Sequence, residues 1–122
     1  MTNIEKFNQC CAGFLALFYG AFPVKVHISI GDYLEYDNPE NSELFFSTIE
    51  FLKDEGFIRY DSDIYGGYMG VVLTSKGLAG LNGVVSELDD DKTIGQLIKL
   101  AIEGNNEASI RMLVSVFIGN SL

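Results

Sequence analysis

Residues 41–81 read NSELFFSTIEFLKDEGFIRYDSDIYGGYMGVVLTSKGLAGL, and the reading of this stretch decides the fold. Ahead of it, Asp37-Asn38-Pro39-Glu40-Asn41-Ser42 is a cluster of turn formers, with Asn41 or Ser42 placed to cap a helix. Within that helix Phe45, Ile49 and Leu52 recur at the spacing of a buried stripe. Glu43, Ser47, Glu50 and Asp54 recur on the opposite face, which should be wet. Gly56 supplies the left-handed residue that commonly ends a helix. Two apolar runs follow, Phe57-Ile58-Arg59-Tyr60 and Tyr68-Met69-Gly70-Val71-Val72-Leu73. Gly66-Gly67 lies between them, and such a pair accepts the positive φ angles of a tight hairpin turn. Thr74 or Ser75 then caps a short helix whose Leu78 and Leu81 face the core.

Two pieces of this stretch, Phe51-Leu52-Lys53-Asp54-Glu55-Gly56-Phe57-Ile58 and Val72-Leu73-Thr74-Ser75-Lys76-Gly77-Leu78, resemble the winged helix family, in particular small bacterial winged-helix proteins. The first is similar to the end of a recognition helix running into a wing strand. The second is similar to the return strand running into a helix. The resemblance implies an α+β, mainly helical fold: a winged helix-turn-helix with a two-stranded wing over residues 1–83. It also implies C-terminal dimerisation helices, since winged helix proteins often pair through terminal helices. One fold hosts many jobs, so function has to be argued from surfaces.

At 122 residues the chain is one domain with its own core. Apolar residues make up 48% and aromatics 12%, which describes a packed globule and not a disordered chain. The formal charge is −9, from 17 acidic and 8 basic residues, and a surface so acidic repels nucleic-acid phosphates and anionic lipid. Cys10 and Cys11 are adjacent and poorly placed to bond to each other, so free thiols fit a reducing cytoplasm. His27 is the one histidine, and with no Cys/His cluster a zinc site of the usual ligand spacing is excluded.

From the start, residues 3–22 form a helix lined on one face by Phe7, Cys10, Cys11, Phe14 and Phe18. Ala12 to Val24 carries no charge, but the run is too short to span a membrane and Glu5 beside Lys6 is not the positive end of a secretory signal. A buried helix is the better reading. Pro23 ends it, Val24 to Ile28 alternates as a short half-buried strand, and Ser29 caps a short helix through Asp32, Tyr33 and Leu34. By the resemblance, that would be the first helix of the helix-turn-helix. Residues 84–122 form an acidic linker, Glu87-Leu88-Asp89-Asp90-Asp91, and a helical extension packing on the same domain or on a second subunit. Thr93 with Gln96 makes a capping box. Ile94, Leu97, Ile98 and Ala101 form one apolar stripe; Gly104-Asn105-Asn106 interrupts it; Ile110, Leu113, Val114 and Phe117 form a second. The pattern fits an αα-hairpin or one broken helix, with Glu107 and Arg111 spaced to pair on its outer face.

Three kinds of chemistry compete. A DNA-binding reading puts the exposed side of the recognition helix into the major groove, yet that side carries Glu43, Ser47, Glu50 and Asp54 with Lys53 beside it. From Asp32 to Asp63 ten acids face only Lys53 and Arg59, leaving −8, and the wing from Asp61 to Tyr68 has no Lys or Arg. Such a surface forgoes the counterion release that drives binding to a polyanion. Catalysis is disfavoured: the carboxylates are solvated charge, apolar helical cysteines are normally inert, His27 reads as an exposed strand residue, and no phosphate loop or cofactor motif is present. Protein association remains, through an interface of Ile94, Leu97, Ile98, Ile110, Leu113, Val114 and Phe117, unless both stripes complete the intramolecular core. Tyr60, Tyr65 and Tyr68 either make the wing adhesive or form cross-strand pairs.

The preferred reading is a cytoplasmic, non-catalytic winged helix protein, a homodimer acting by protein contact, with no membrane or cofactor involved. The alternative is a transcriptional regulator binding DNA through Ser42–Glu55 and the wing residues Tyr65 and Tyr68. A third is an acidic imitator of nucleic acid that blocks a basic partner.

Overall fold

The computed structural model describes residues 1–85 and 91–120. The described chain is α+β and mainly helical, with five α-helices and a small antiparallel sheet. The acidic run from Glu87 to Asp90 lies outside the described residues.

Helix α1 (Asn3–Ala21) opens at Thr2, whose hydroxyl accepts from the Glu5 amide, and sits at the centre of the fold. Cys10, Cys11, Ala12, Phe14, Leu15 and Phe18 are all buried, more than one helix face, because α1 is covered on several sides. Strand β1 (Val26–Ser29) follows, then a single 3₁₀ turn at Ile30–Asp32. The helix predicted through Tyr33 and Leu34 does not form. Tyr33 and Tyr36 instead turn their rings onto Phe45, at 5.5 and 6.2 Å, and Tyr33 also meets Phe14. Asn38 ties the loop by donating to the Glu35 carbonyl and accepting from the amides of Glu40 and Asn41. Pro39 further disfavours helical geometry at Asn38. The first helix of a helix-turn-helix is thus replaced by a laced loop.

Helix α2 (Ser42–Asp54) buries Phe45, Thr48, Ile49 and Leu52 against α1. Asn41 stands at its N-cap, but its amide donates back to the Glu35 carbonyl and does not cap the helix. Gly56, at φ +83°, ends it as the sequence predicts. Strand β2 (Ile58–Arg59), β3 (Ser62–Ile64) and β4 (Gly67–Leu73) then form the hairpin, with its first arm broken in two. The turn is Tyr65-Gly66, not Gly66-Gly67: Gly66 has φ +80°, while Gly67 already pairs with Ile64 and Ser29. Gly67 is needed for another reason, since a Cβ there would collide with the Ile28 carbonyl of β1.

Strand β4 is central, flanked by β1 on one edge and by β2 and β3 on the other. Its register with β1 slips between Val26 and Ile28 at a bulge where Gly70 takes φ +72°. The bulged Gly70 amide donates to His27 Nδ1 at 3.0 Å. A side chain at Gly70 would run into the Asp61 carboxylate, which Lys25 holds at 3.0 Å. Helix α3 (Ser75–Leu81) is capped by Thr74, whose hydroxyl accepts from the Gly77 amide.

The chain re-enters beside α3, where the Ile94 amide donates to the Gly83 carbonyl and Val84 pairs with Thr93. Helix α4 (Ile94–Glu103) has the predicted capping box between Thr93 and Gln96, at 3.1 and 2.8 Å. Gly104 and left-handed Asn105 then reverse the chain into α5 (Glu107–Asn120), so the two stripes form an αα-hairpin. Both helices pack on α1, and their apolar residues belong to the same core as those of α2 and the sheet. At the seam, the Tyr19 hydroxyl donates to Asn82 Oδ1 at 2.7 Å and shares a hydrogen bond with the Thr93 hydroxyl at 3.0 Å. The Tyr19 ring fills the space where Gly95 lacks a side chain.

Candidate interaction surfaces

The residues expected to mark a recognition helix and wing divide into three environments. Glu43, Ser47, Lys53 and Asp54 are exposed on α2, and Lys53 lies 3.7 Å from Asp54. Glu50 is half-buried, because the Tyr60 hydroxyl donates to its two carboxylate oxygens at 2.9 and 3.2 Å. Burial and the adjacent Glu50 charge push the Tyr60 phenol up to about 12. Tyr65 stands fully exposed at the hairpin tip, beside half-exposed Ile64.

Tyr68 does not project from the wing. It is buried, with its ring 4.9 Å from that of Tyr60 and its hydroxyl donating to the Phe46 carbonyl at 3.4 Å. Tyr60 and Tyr68 are therefore packing partners under the hairpin, and Tyr65 alone of the three is displayed.

The charge of this side is on the surface. Of the ten acids between Asp32 and Asp63, all except Glu50 are exposed. Three nearby cations are committed locally, Lys25 to Asp61, Lys53 to Asp54, and Lys76 to the Glu55 carbonyl at 2.8 Å and the Phe57 ring at 4.9 Å, while Arg59 stands exposed on β2. No cationic ridge stands beside α2 among these contacts.

Cys10 and Cys11 are buried free thiols. Desolvation raises the pKa of both; Cys10 lies against the Thr48 hydroxyl and Tyr36, and neither thiol is disposed to act as a nucleophile. His27 is exposed and accepts from the Gly70 amide through Nδ1.

The C-terminal stripes face inward. Ile94, Ile98, Ile110, Leu113, Val114 and Phe117 are each 2% exposed or less within the single chain, and the Phe117 ring lies 4.6 Å from Phe57. These six complete the intramolecular core. Leu97 is half-buried and reaches a groove of about 400 Å³ between α4 and α5, where Leu100 and Met112 are exposed at 48% and 37%. Sequence reasoning missed Leu100 and Met112 because both fall off the strict stripe, although Leu100 follows Leu97 by one helical turn. Glu107 and Arg111 do not pair, whereas Lys25 pairs with Asp61 and Lys53 with Asp54.

No described helix is long and apolar enough to cross a membrane. Compared with family models, with curated proteins and with solved structures, the chain matches none.

Proposed function

We propose that this chain is a non-catalytic, winged-helix-like protein that acts by protein–protein contact and self-associates through the groove between α4 and α5. The strand order β1-β4-β2, with α2 entering the hairpin, supports the winged-helix element of the reading. The loop at residues 33–41 in place of a first helix removes the brace that a DNA-reading helix-turn-helix uses.

One observation carries the choice of surface. The groove presents Leu97, Leu100 and Met112 on the part of the chain where charge cancels: from Asp91 to Asn120, Asp91, Glu103 and Glu107 balance Lys92, Lys99 and Arg111. The excess negative charge of the molecule lies elsewhere, mostly between Asp32 and Asp63. Two like-charged copies therefore meet with least repulsion here, with exposed Lys99 and Glu103 available to pair across a two-fold axis.

Multi-angle light scattering after gel filtration tests this reading. The wild type should elute with twice the 13.5 kDa chain mass, while Leu100→Glu with Met112→Glu should give a folded monomer with an unchanged melting curve. A wild type that is monomeric at about 100 μM would remove the dimer. Tight, salt-sensitive retardation of duplex DNA would instead restore the nucleic-acid reading.

A further inference from the structure

The end of the β3–β4 hairpin carries apolar side chains that the core does not use. Gly66, at φ +80°, is the residue this tight turn requires, whereas the place before it suits proline or a small polar residue. Tyr65 stands there instead, fully exposed, with Ile64 beside it at 47%. The pairing of Ser62 with Met69 and of Ile64 with Gly67 sets Ile64 and Met69 diagonally on one face of the hairpin. Met69 is 39% exposed, so the three side chains form one displayed apolar tip. The tip is also braced. The Ile30 amide donates to the Gly66 carbonyl at 2.8 Å, Gly67 pairs with Ser29, and Tyr68 packs beneath on Tyr60. A tyrosine displayed on a fixed turn loses little conformational freedom when a partner closes over it.

We infer that the hairpin tip docks a basic segment of another protein, one that carries large apolar side chains among its Lys and Arg residues and closes over Tyr65 and Ile64. The inference rests on the reading that the chain acts by protein contact, and not on self-association. Charge selects the partner. Asp61 and Asp63 stand exposed on either side of Ser62, and Asp63 of β3 and Asp54 of α2 both act on the Tyr60 phenol, after its burial and the Glu50 contact. Acids of the hairpin and of α2 therefore converge on one side of the tip. Lys25 is taken by Asp61 and Lys53 by Asp54, which leaves exposed Arg59 as the cation of this arm. The acids by themselves describe a solvated face; the contiguous apolar tip among them is what a partner would cover, and their sign is what that partner would answer. The same sign turns away phosphates and anionic lipid.

Selection of the full chain against a random dodecapeptide library displayed on phage tests the site, with the recovered peptides then synthesised for binding kinetics. They should be rich in Lys and Arg, carry a large apolar residue, and bind with a Kd of about 100 μM or tighter. Tyr65→Ser should weaken them about tenfold or more, chiefly by faster dissociation. Asp63→Asn should instead slow association and flatten its dependence on salt. Both variants should keep the wild-type melting curve, since neither side chain is buried. The Leu100→Glu, Met112→Glu chain should bind the same peptides as well as the wild type does, so loss of the dimer and loss of this site are told apart. Four results would each overturn the inference: no recovered peptides, peptides without net positive charge, undiminished binding by Tyr65→Ser, or Tyr65-dependent partition onto phosphatidylcholine vesicles in place of peptide binding.

Discussion

Replacing Phe117 with alanine asks whether α5 is part of the core or a surface for a partner. The ring is fully buried and its centroid lies 4.6 Å from that of Phe57, the residue that begins the hairpin after α2. Truncating a buried phenylalanine costs about 3–5 kcal/mol through lost transfer free energy and the cavity left behind. The lost ring pair, about 0.5–1.5 kcal/mol beyond area, places this site toward the upper end. For a domain of this size each kcal/mol lowers the melting temperature by about 3–6 °C, so a drop of about 10–25 °C is expected by far-ultraviolet circular dichroism. Total stabilities of about 5–15 kcal/mol leave a weakly stable chain unfolded outright, so Phe117→Leu serves as the gentler companion, at about 1 kcal/mol. Below its melting point the leucine variant should keep the wild-type oligomeric state. A drop under about 5 °C accompanied by dissociation to monomers would refute the assignment of Phe117 to the core.

Two further outcomes follow from local contacts. Thr93→Ala removes the capping box of α4 and the hydroxyl that meets Tyr19, so it should cost about 1–2 kcal/mol in urea unfolding. Combined with Tyr19→Phe, the double-mutant cycle should be non-additive by about 0.5 kcal/mol or more, because the two share one hydrogen bond. At alkaline pH the unfolded chain releases the Tyr60 proton near the ordinary tyrosine value of about 10, while the folded protein holds it up to about 12. The stability contributed by that neutral phenol is therefore complete below the lower value and declines as pH rises toward the upper one. Ultraviolet difference absorbance should show this late-titrating tyrosine, and Glu50→Gln should bring its titration down by removing the carboxylate that receives the proton.

What the sequence made legible was local. The stripe of Phe45, Ile49 and Leu52, the stop at Gly56 and the Thr93–Gln96 box each depend on neighbours within one or two turns, and each is where periodicity and capping chemistry put it. The segment after Ser29 failed because its fate is tertiary. Tyr33 and Tyr36 gain more by packing on Phe45 than by continuing a helix, and nothing within the segment announces Phe45 as a neighbour. For Tyr68 the sequence left display and cross-strand packing open; the ring packs on Tyr60, and the Gly70 bulge shifts the two-residue alternation so that Tyr68 and Val71 are buried on either side of it. For α4 and α5, period alone shows that a stripe is hidden, not what hides it. The uncharged run of α1 was the available hint, since a helix apolar on several sides asks for several partners.

Because α1 is the hub, order of synthesis matters to this protein. Helix α1 leaves the ribosome well before the helices that cover it; Tyr19 and Thr93, which join across the seam, are 74 positions apart. Until α5 emerges, the nascent chain shows an oily flank that no local folding can hide. Removing α4 and α5 would therefore damage α1 as well, and a fragment stopping near Val85 should need a chaperone to stay in solution.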